Sequence, residues 1–118
     1  MDFTLTAEQE LLRDTARTVL AAQCPSTLVR EHITNPSVAD ALWQHLREYA
    51  GLASGPLVDL CLFLEEAGAA LTPGPFFATT ALFAPVVDAI GEHGLLARVA
   101  AGEVTGTSVM GAFRSLPA

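Results

Sequence analysis

The chain has 118 residues, 51% of them hydrophobic and 16% charged, and its 13 acidic against 6 basic residues give a net charge of −7. That length is one small domain or a piece of a larger protein, and the acidic balance excludes the basic face of a nucleic-acid-binding module. No stretch reaches the ~18 to 20 uninterrupted apolar residues of a membrane span, and the acidic, polar opening MDFTLTAEQE is neither a signal nor a transit peptide, so a cytoplasmic location is expected.

The first helix opens at Leu5–Thr6–Ala7–Glu8–Gln9, where Thr6 as N-cap and Gln9 three residues on make a capping box. Leu12, Ala16, Val19 and Leu20 form its apolar stripe, and Pro25 ends it by forcing Cys24 out of the α region. A short segment over 26–33 carries Leu28, Val29 and Ile33, and Thr34–Asn35–Pro36–Ser37 is turn chemistry. Ser37 is placed to cap a third helix with Asp40 in its first turn and a stripe of Ala39, Leu42, Leu46 and Tyr49 beside Trp43. Residues 51–56 read as a loop.

The stretch 57–90 dominates the pattern, with only Asp59, Glu65, Glu66 and Asp88 charged. Leu57, Leu60, Cys61, Leu64, Ala67, Gly68 and Leu71 have helical spacing, and Leu62 and Phe63 lie opposite. A helix apolar nearly all round is expected in a core. Thr72–Pro73–Gly74–Pro75 then turns the chain into a second apolar helix, which Pro85 is expected to kink or break, so the two make a helical hairpin. A final short helix over 92–101 stops at Gly102 as its C′ residue. Residues 104–110, rich in β-branched side chains, read as a single strand without a partner in the chain.

Few residues suggest chemistry. Glu65 and Glu66 offer a buried base or, more simply, a carboxylate at the solvent edge or paired with arginine. His32, His45 and His93 are scattered without metal-ligand spacing, and Cys24 and Cys61 read as free thiols, Cys61 as a buried small hydrophobe. Phe76, Thr79, Thr80 and Phe83, at i, i+3, i+4 and i+7, share one helical face. That face either lines a pocket for an apolar ligand or packs in the core with its hydroxyls bonded to the preceding turn. A mean hydropathy of +0.41 fits a chain that covers its excess apolar surface with a partner or a pocket.

Four blocks resemble acyl-CoA dehydrogenases in order and spacing: MDFTLTAEQELLRDTAR, LWQHLREYAGL, LCLFLEEAGAALTPGPFFATTAL and LLARVAAGEVTGTSVMGA. The resemblance runs to about Ala112 and is nearest to actinobacterial members associated with steroid or lipid acyl-CoAs. It implies an all-α N-terminal helical domain of about six helices over 1–103. Residues 104–118 would be the first strand and stub of a middle β-domain. In the family FAD takes hydride from the substrate β-carbon, and a glutamate of a C-terminal bundle removes the α-proton. Neither that base nor the flavin segment has a counterpart here, so the resemblance implies no catalytic residue and no FAD held by this chain alone. By the same resemblance Phe76, Thr79, Thr80 and Phe83 would form part of the acyl pocket. The family's longer glycine-rich loop is shortened here to Gly51–Leu52–Ala53–Ser54–Gly55–Pro56.

Three readings follow. The chain is the N-terminal part of an FAD-dependent acyl-CoA dehydrogenase, inactive alone, in a homo- or hetero-oligomer. Or it is a non-catalytic dehydrogenase-like module that pairs with a full-length enzyme. Or it is an unrelated helical bundle with a lipid pocket.

Overall fold

The computed structural model describes residues 1–109 and 111, and every regular element among them is helical. Six α-helices follow one another: α1 (Ala7–Gln23), α2 (Ser26–His32), α3 (Val38–Leu46), α4 (Leu57–Ala69), α5 (Ala84–Ala89) and α6 (His93–Ala100). A 3₁₀ segment, Arg47–Ser54, prolongs α3, and a π-helical segment, Ala78–Phe83, leads into α5. The all-α architecture of about six helices is therefore as the sequence implies. None of these helices is long and apolar enough to cross a membrane.

The capping box at the start of α1 is complete: Gln9 N–H donates to Thr6 Oγ1 at 3.2 Å, and Thr6 N–H donates to Gln9 Oε1 at 3.0 Å. From there α1 runs along α4, burying Ala16 and Leu20. Two polar links fix the register of this pair. Arg17 grips Glu66 at 2.8 Å, and Gln9 Nε2 donates to Asp59 Oδ1 at 3.3 Å. Glu66 thus takes the arginine-paired role that its sequence context allowed, and Glu65 is exposed.

The core collects Ala16, Leu20, Cys24, Leu42, Leu46, Leu60, Phe63, Ala67 and Phe76. Phe63 is fully buried at its centre, with Tyr49 5.0 Å and Phe76 4.8 Å away between ring centroids. Such tilted aromatic contacts add about 0.5–1.5 kcal/mol beyond area burial.

Helices α4, α5 and α6 end in the same way, with a left-handed residue at C′ and bonds back to the last turn. At α6 that residue is Gly102 (φ +73°), as the sequence predicts, and Glu103 N–H reaches Arg98 O at 3.0 Å. At α5 it is Gly91 (φ +79°). At α4 it is Leu71, at φ +54°. A side chain with a Cβ in this region costs roughly 1–2 kcal/mol, so Leu71 is a strained exception among the three.

Several expectations are corrected. Ser37 occupies the N-cap of α3, but its backbone is already helical, and its hydroxyl bonds Asn35 Oδ1 at 2.6 Å instead of capping. The expected loop at 51–56 is mostly 3₁₀ helix. Cys61 is exposed and Cys24 is the buried cysteine; both are free. Ile33, counted as apolar packing, is 82% exposed. The expected strand over 104–110 is absent from 104–109, because no second strand is present among the described residues to complete its ladder. Met110 and the stub at 112–118 lie outside the described residues.

Pro85 does more than kink its helix. It lacks the N–H that an α-helix needs there, and its ring would crowd the carbonyl four residues back. The chain answers with the wider π turn of 78–83, closed by Ala84 N–H on Thr79 O.

Candidate functional site

The hairpin of α4 and the 76–89 arm does not close on itself. Helix α1 covers one side of α4, where Gln9 and Arg17 meet Asp59 and Glu66, while another side faces a groove. The groove has two compartments that meet at Leu64. The first, about 390 Å³, is bounded by Leu64, Ala67, Gly68 and Leu71 of the α4 side and by Phe76 and Phe77. The second, about 320 Å³, is bounded by Leu57, Leu60, Cys61 and Leu64, with Thr80 and Pro85 across from them. Several rim residues are open to solvent: Leu57 is 73% exposed, Leu71 72% and Phe77 58%. Large apolar side chains gathered in one exposed place mark a binding surface, whereas scattered ones do not.

The four residues that sequence spacing put on one face are divided by the π turn. Residues in a π turn advance by a smaller angle than in an α-helix, so the i, i+3, i+4, i+7 face twists apart. Phe76 and Thr80 keep to the groove side, where Phe76 forms the floor of the first compartment and Thr80 the wall of the second. The Thr80 hydroxyl donates to Phe76 O at 2.8 Å, which is the local backbone bond that the simpler reading foresaw.

Thr79 and Phe83 turn to the other side, where they hold the 104–108 segment. Gly106 N–H donates to Thr79 Oγ1 at 3.2 Å, and Thr79 Oγ1 donates to Gly106 O at 3.3 Å. Gly106 lies so close to the Phe83 ring that an added Cβ would fall 2.5 Å from Cδ1. This is where the β-branched tail goes in place of a sheet.

Sequence reasoning missed the groove residues Cys61, Gly68, Leu71, Phe77 and Pro85. The apolar stripe of α4 was visible, but a stripe does not say whether its cover lies inside the chain. No atom lies within 4 Å of the place a Cβ on Gly68 would take.

The electrostatics of the groove are simple. Asp88 lines the second compartment, and no arginine or histidine lines either one. Burial raises the Cys24 thiol above its ordinary range, partly offset by the Thr72 hydroxyl, so this sulfur is a poor nucleophile. The hydrogen bond from Arg17 lowers the Glu66 carboxyl, which makes it a poor base. His32, His45 and His93 sit on three separate helices, and among the described residues no His, Cys, Asp and Glu side chains converge into a group able to hold a metal. A flavin dinucleotide needs donors for its pyrophosphate and ring edge. The groove lining offers one carboxylate, two threonine hydroxyls and hydrocarbon, with no arginine or histidine beside them.

No protein-family model, curated protein sequence or solved structure matches the chain.

Proposed function

We propose that the chain is a helical packing module of acyl-CoA dehydrogenase type, which contributes an apolar wall to an assembly and turns nothing over by itself. The observation that carries the reading is the two-compartment groove beside α4, apolar except for Asp88 and two threonines. A cleft of this kind accepts a hydrocarbon chain or a covering helix. The four blocks that resemble the family add support, since they fall on α1, the end of α3 with the 3₁₀ segment, the α4 hairpin and α6. On this reading the flavin, the catalytic base and the contacts to the CoA phosphates belong to an acyl-CoA dehydrogenase partner in a homo- or hetero-oligomer. A lining without arginine or histidine supports one form of it, the non-catalytic subunit beside a complete enzyme.

Trp43 is the single tryptophan and lies 6.4 Å from Phe76 between ring centroids, so it reports on the first compartment. Long-chain acyl-CoA titrated into the purified chain should change Trp43 emission saturably, while CoA alone should not. The visible spectrum of the same sample should show no flavin band, and its intact mass should match the sequence. Trp43 emission that acyl chains of every length leave unchanged would remove the acyl-wall reading. A flavin band from the isolated chain would remove the non-catalytic one.

A further inference from the structure

The 104–108 segment is held to the bundle at one point. Its root is fixed, because a Cβ on Gly102 would lie 2.6 Å from Arg47 O. Beyond the root the residues alternate: Val104, Gly106 and Ser108 are half-buried, while Thr105, Thr107 and Val109 are exposed. Among the described residues, 104–109 make no hydrogen bond to the bundle besides the two between Gly106 and Thr79. A segment held by two hydrogen bonds and one ring contact opens more readily than the packed helices beneath it.

What this segment grips is the π turn. Thr79 lies near the start of Ala78–Phe83 and Phe83 ends it, and Gly106 meets both. Between those two points lie Thr80 and Ala81, which line the second compartment together with Pro85. Thr79 and Thr80 are adjacent and both 0% exposed, so a shift of one moves the other. The turn also has two registers open to it. Ala84 N–H bonds Thr79 O, five residues back, whereas an α turn would give it Thr80 O. Pro85 has no N–H with which to fix either choice.

We infer that residues 104–108 are a releasable strap that sets the shape of the second compartment. Docked, the strap holds both ends of the π turn, and with them the wall formed by Thr80, Ala81 and Pro85. Released, it frees the turn to change register, and the wall moves against Cys61 on α4. The coupling is reciprocal by linkage, so whatever fills the compartment also changes how firmly the strap is held. The device does not depend on what the groove receives.

Two measurements on the full chain test this in opposite directions. Cys61 lines the compartment and is exposed, while Cys24 is buried, so a thiol reagent tags Cys61. The first measurement is fluorine NMR of a trifluoromethyl tag on Cys61. Gly106→Ala drives a methyl group into the Phe83 ring and releases the strap. It should keep the helical circular dichroism and move the fluorine resonance. Emission of Trp43, beside Phe76 at the first compartment, should stay the same. The second measurement fills the compartment instead. A hexyl group joined to Cys61 by a methanethiosulfonate should change amide exchange at Gly106 at least ~5-fold relative to a methyl group. It needs no substitution, so it decides the matter even where Gly106→Ala loses its helical signal. An unmoved fluorine resonance in folded Gly106→Ala, or equal Gly106 exchange with hexyl and methyl groups, would overturn the proposal. A change in Trp43 emission alongside the fluorine shift would also overturn it, since that marks general loosening of the bundle.

Discussion

The contact between Gly106 and the π segment makes a demand that a single methyl group can test. In Gly106→Ala the new Cβ would lie 2.5 Å from Cδ1 and 2.7 Å from Cε1 of Phe83, closer than real carbon atoms approach. The clash is relieved when the 104–108 segment lifts away from the half-buried Phe83 ring. Lifting breaks both hydrogen bonds to Thr79 Oγ1, a residue with 0% exposure. Overpacking of this kind costs about 1–3 kcal/mol, and each hydrogen bond is worth about 1 kcal/mol net. The total is capped by what docking of the segment contributes, so a loss of about 2–3 kcal/mol is expected. At roughly 4 °C per kcal/mol for a domain near this size, the thermal midpoint should fall by about 10 °C. Amide exchange should accelerate at Gly106 and its neighbours and remain slow in α1 and α4. Thr79→Val keeps the shape but removes the hydroxyl, and it should cost about 1–2 kcal/mol in urea unfolding. Both substitutions act through one device, so the double mutant should lose at least ~1 kcal/mol less than the sum. Costs that add within ~0.5 kcal/mol would refute the idea that Thr79 and Phe83 form one clasp on Gly106.

Other consequences are open to measurement. Leu71 is strained at φ +54° and its side chain is mostly in solvent, so Leu71→Gly should raise the urea midpoint by an equivalent of about 1 kcal/mol; an unchanged or lower midpoint would show that the leucine side chain matters more than its backbone. Exposed Cys61 should react with iodoacetamide at least ~10-fold faster than Cys24 in the native protein, and the two rates should converge in urea. The folded-state Glu66 carboxyl is lowered by its hydrogen bond from Arg17, so the pair contributes stability above the unfolded value near ~4.3 and loses it as pH falls through the lower folded value. Arg17→Met should therefore lower stability at pH 7 and lessen the loss on acidification from about pH 5 downward, as followed by circular dichroism.

Most of the helical layout was legible in local residues. The Thr6–Gln9 box, the Cys24–Pro25 stop, the Pro–Gly turn after Thr72 and the Gly102 stop act over a few positions, and each appears where its chemistry placed it. Legibility failed where the outcome depends on distant partners. Ser37 has capping chemistry, but Asn35 competes for its hydroxyl. Residues 104–109 carry the side chains of a strand, but a strand needs a second one, and the Thr79–Phe83 clasp takes the chain instead. The π turn was half legible: Pro85 signalled a break, but its nature follows from how the hairpin arm packs. That turn then separated Thr79 and Phe83 from Phe76 and Thr80, so a face assigned at α-helical spacing became two.

The composition of α4 explains why its open side was harder to read than its buried one. Asp59 and Glu66 face α1 and are satisfied there by Gln9 and Arg17, so the two acids that would ordinarily mark a solvent face mark a helix interface instead. Leu57, Cys61 and Leu71, which would ordinarily mark a core, stand at the groove. Binary patterning assumes that apolar means inside the chain, and α4 breaks that assumption on both sides at once.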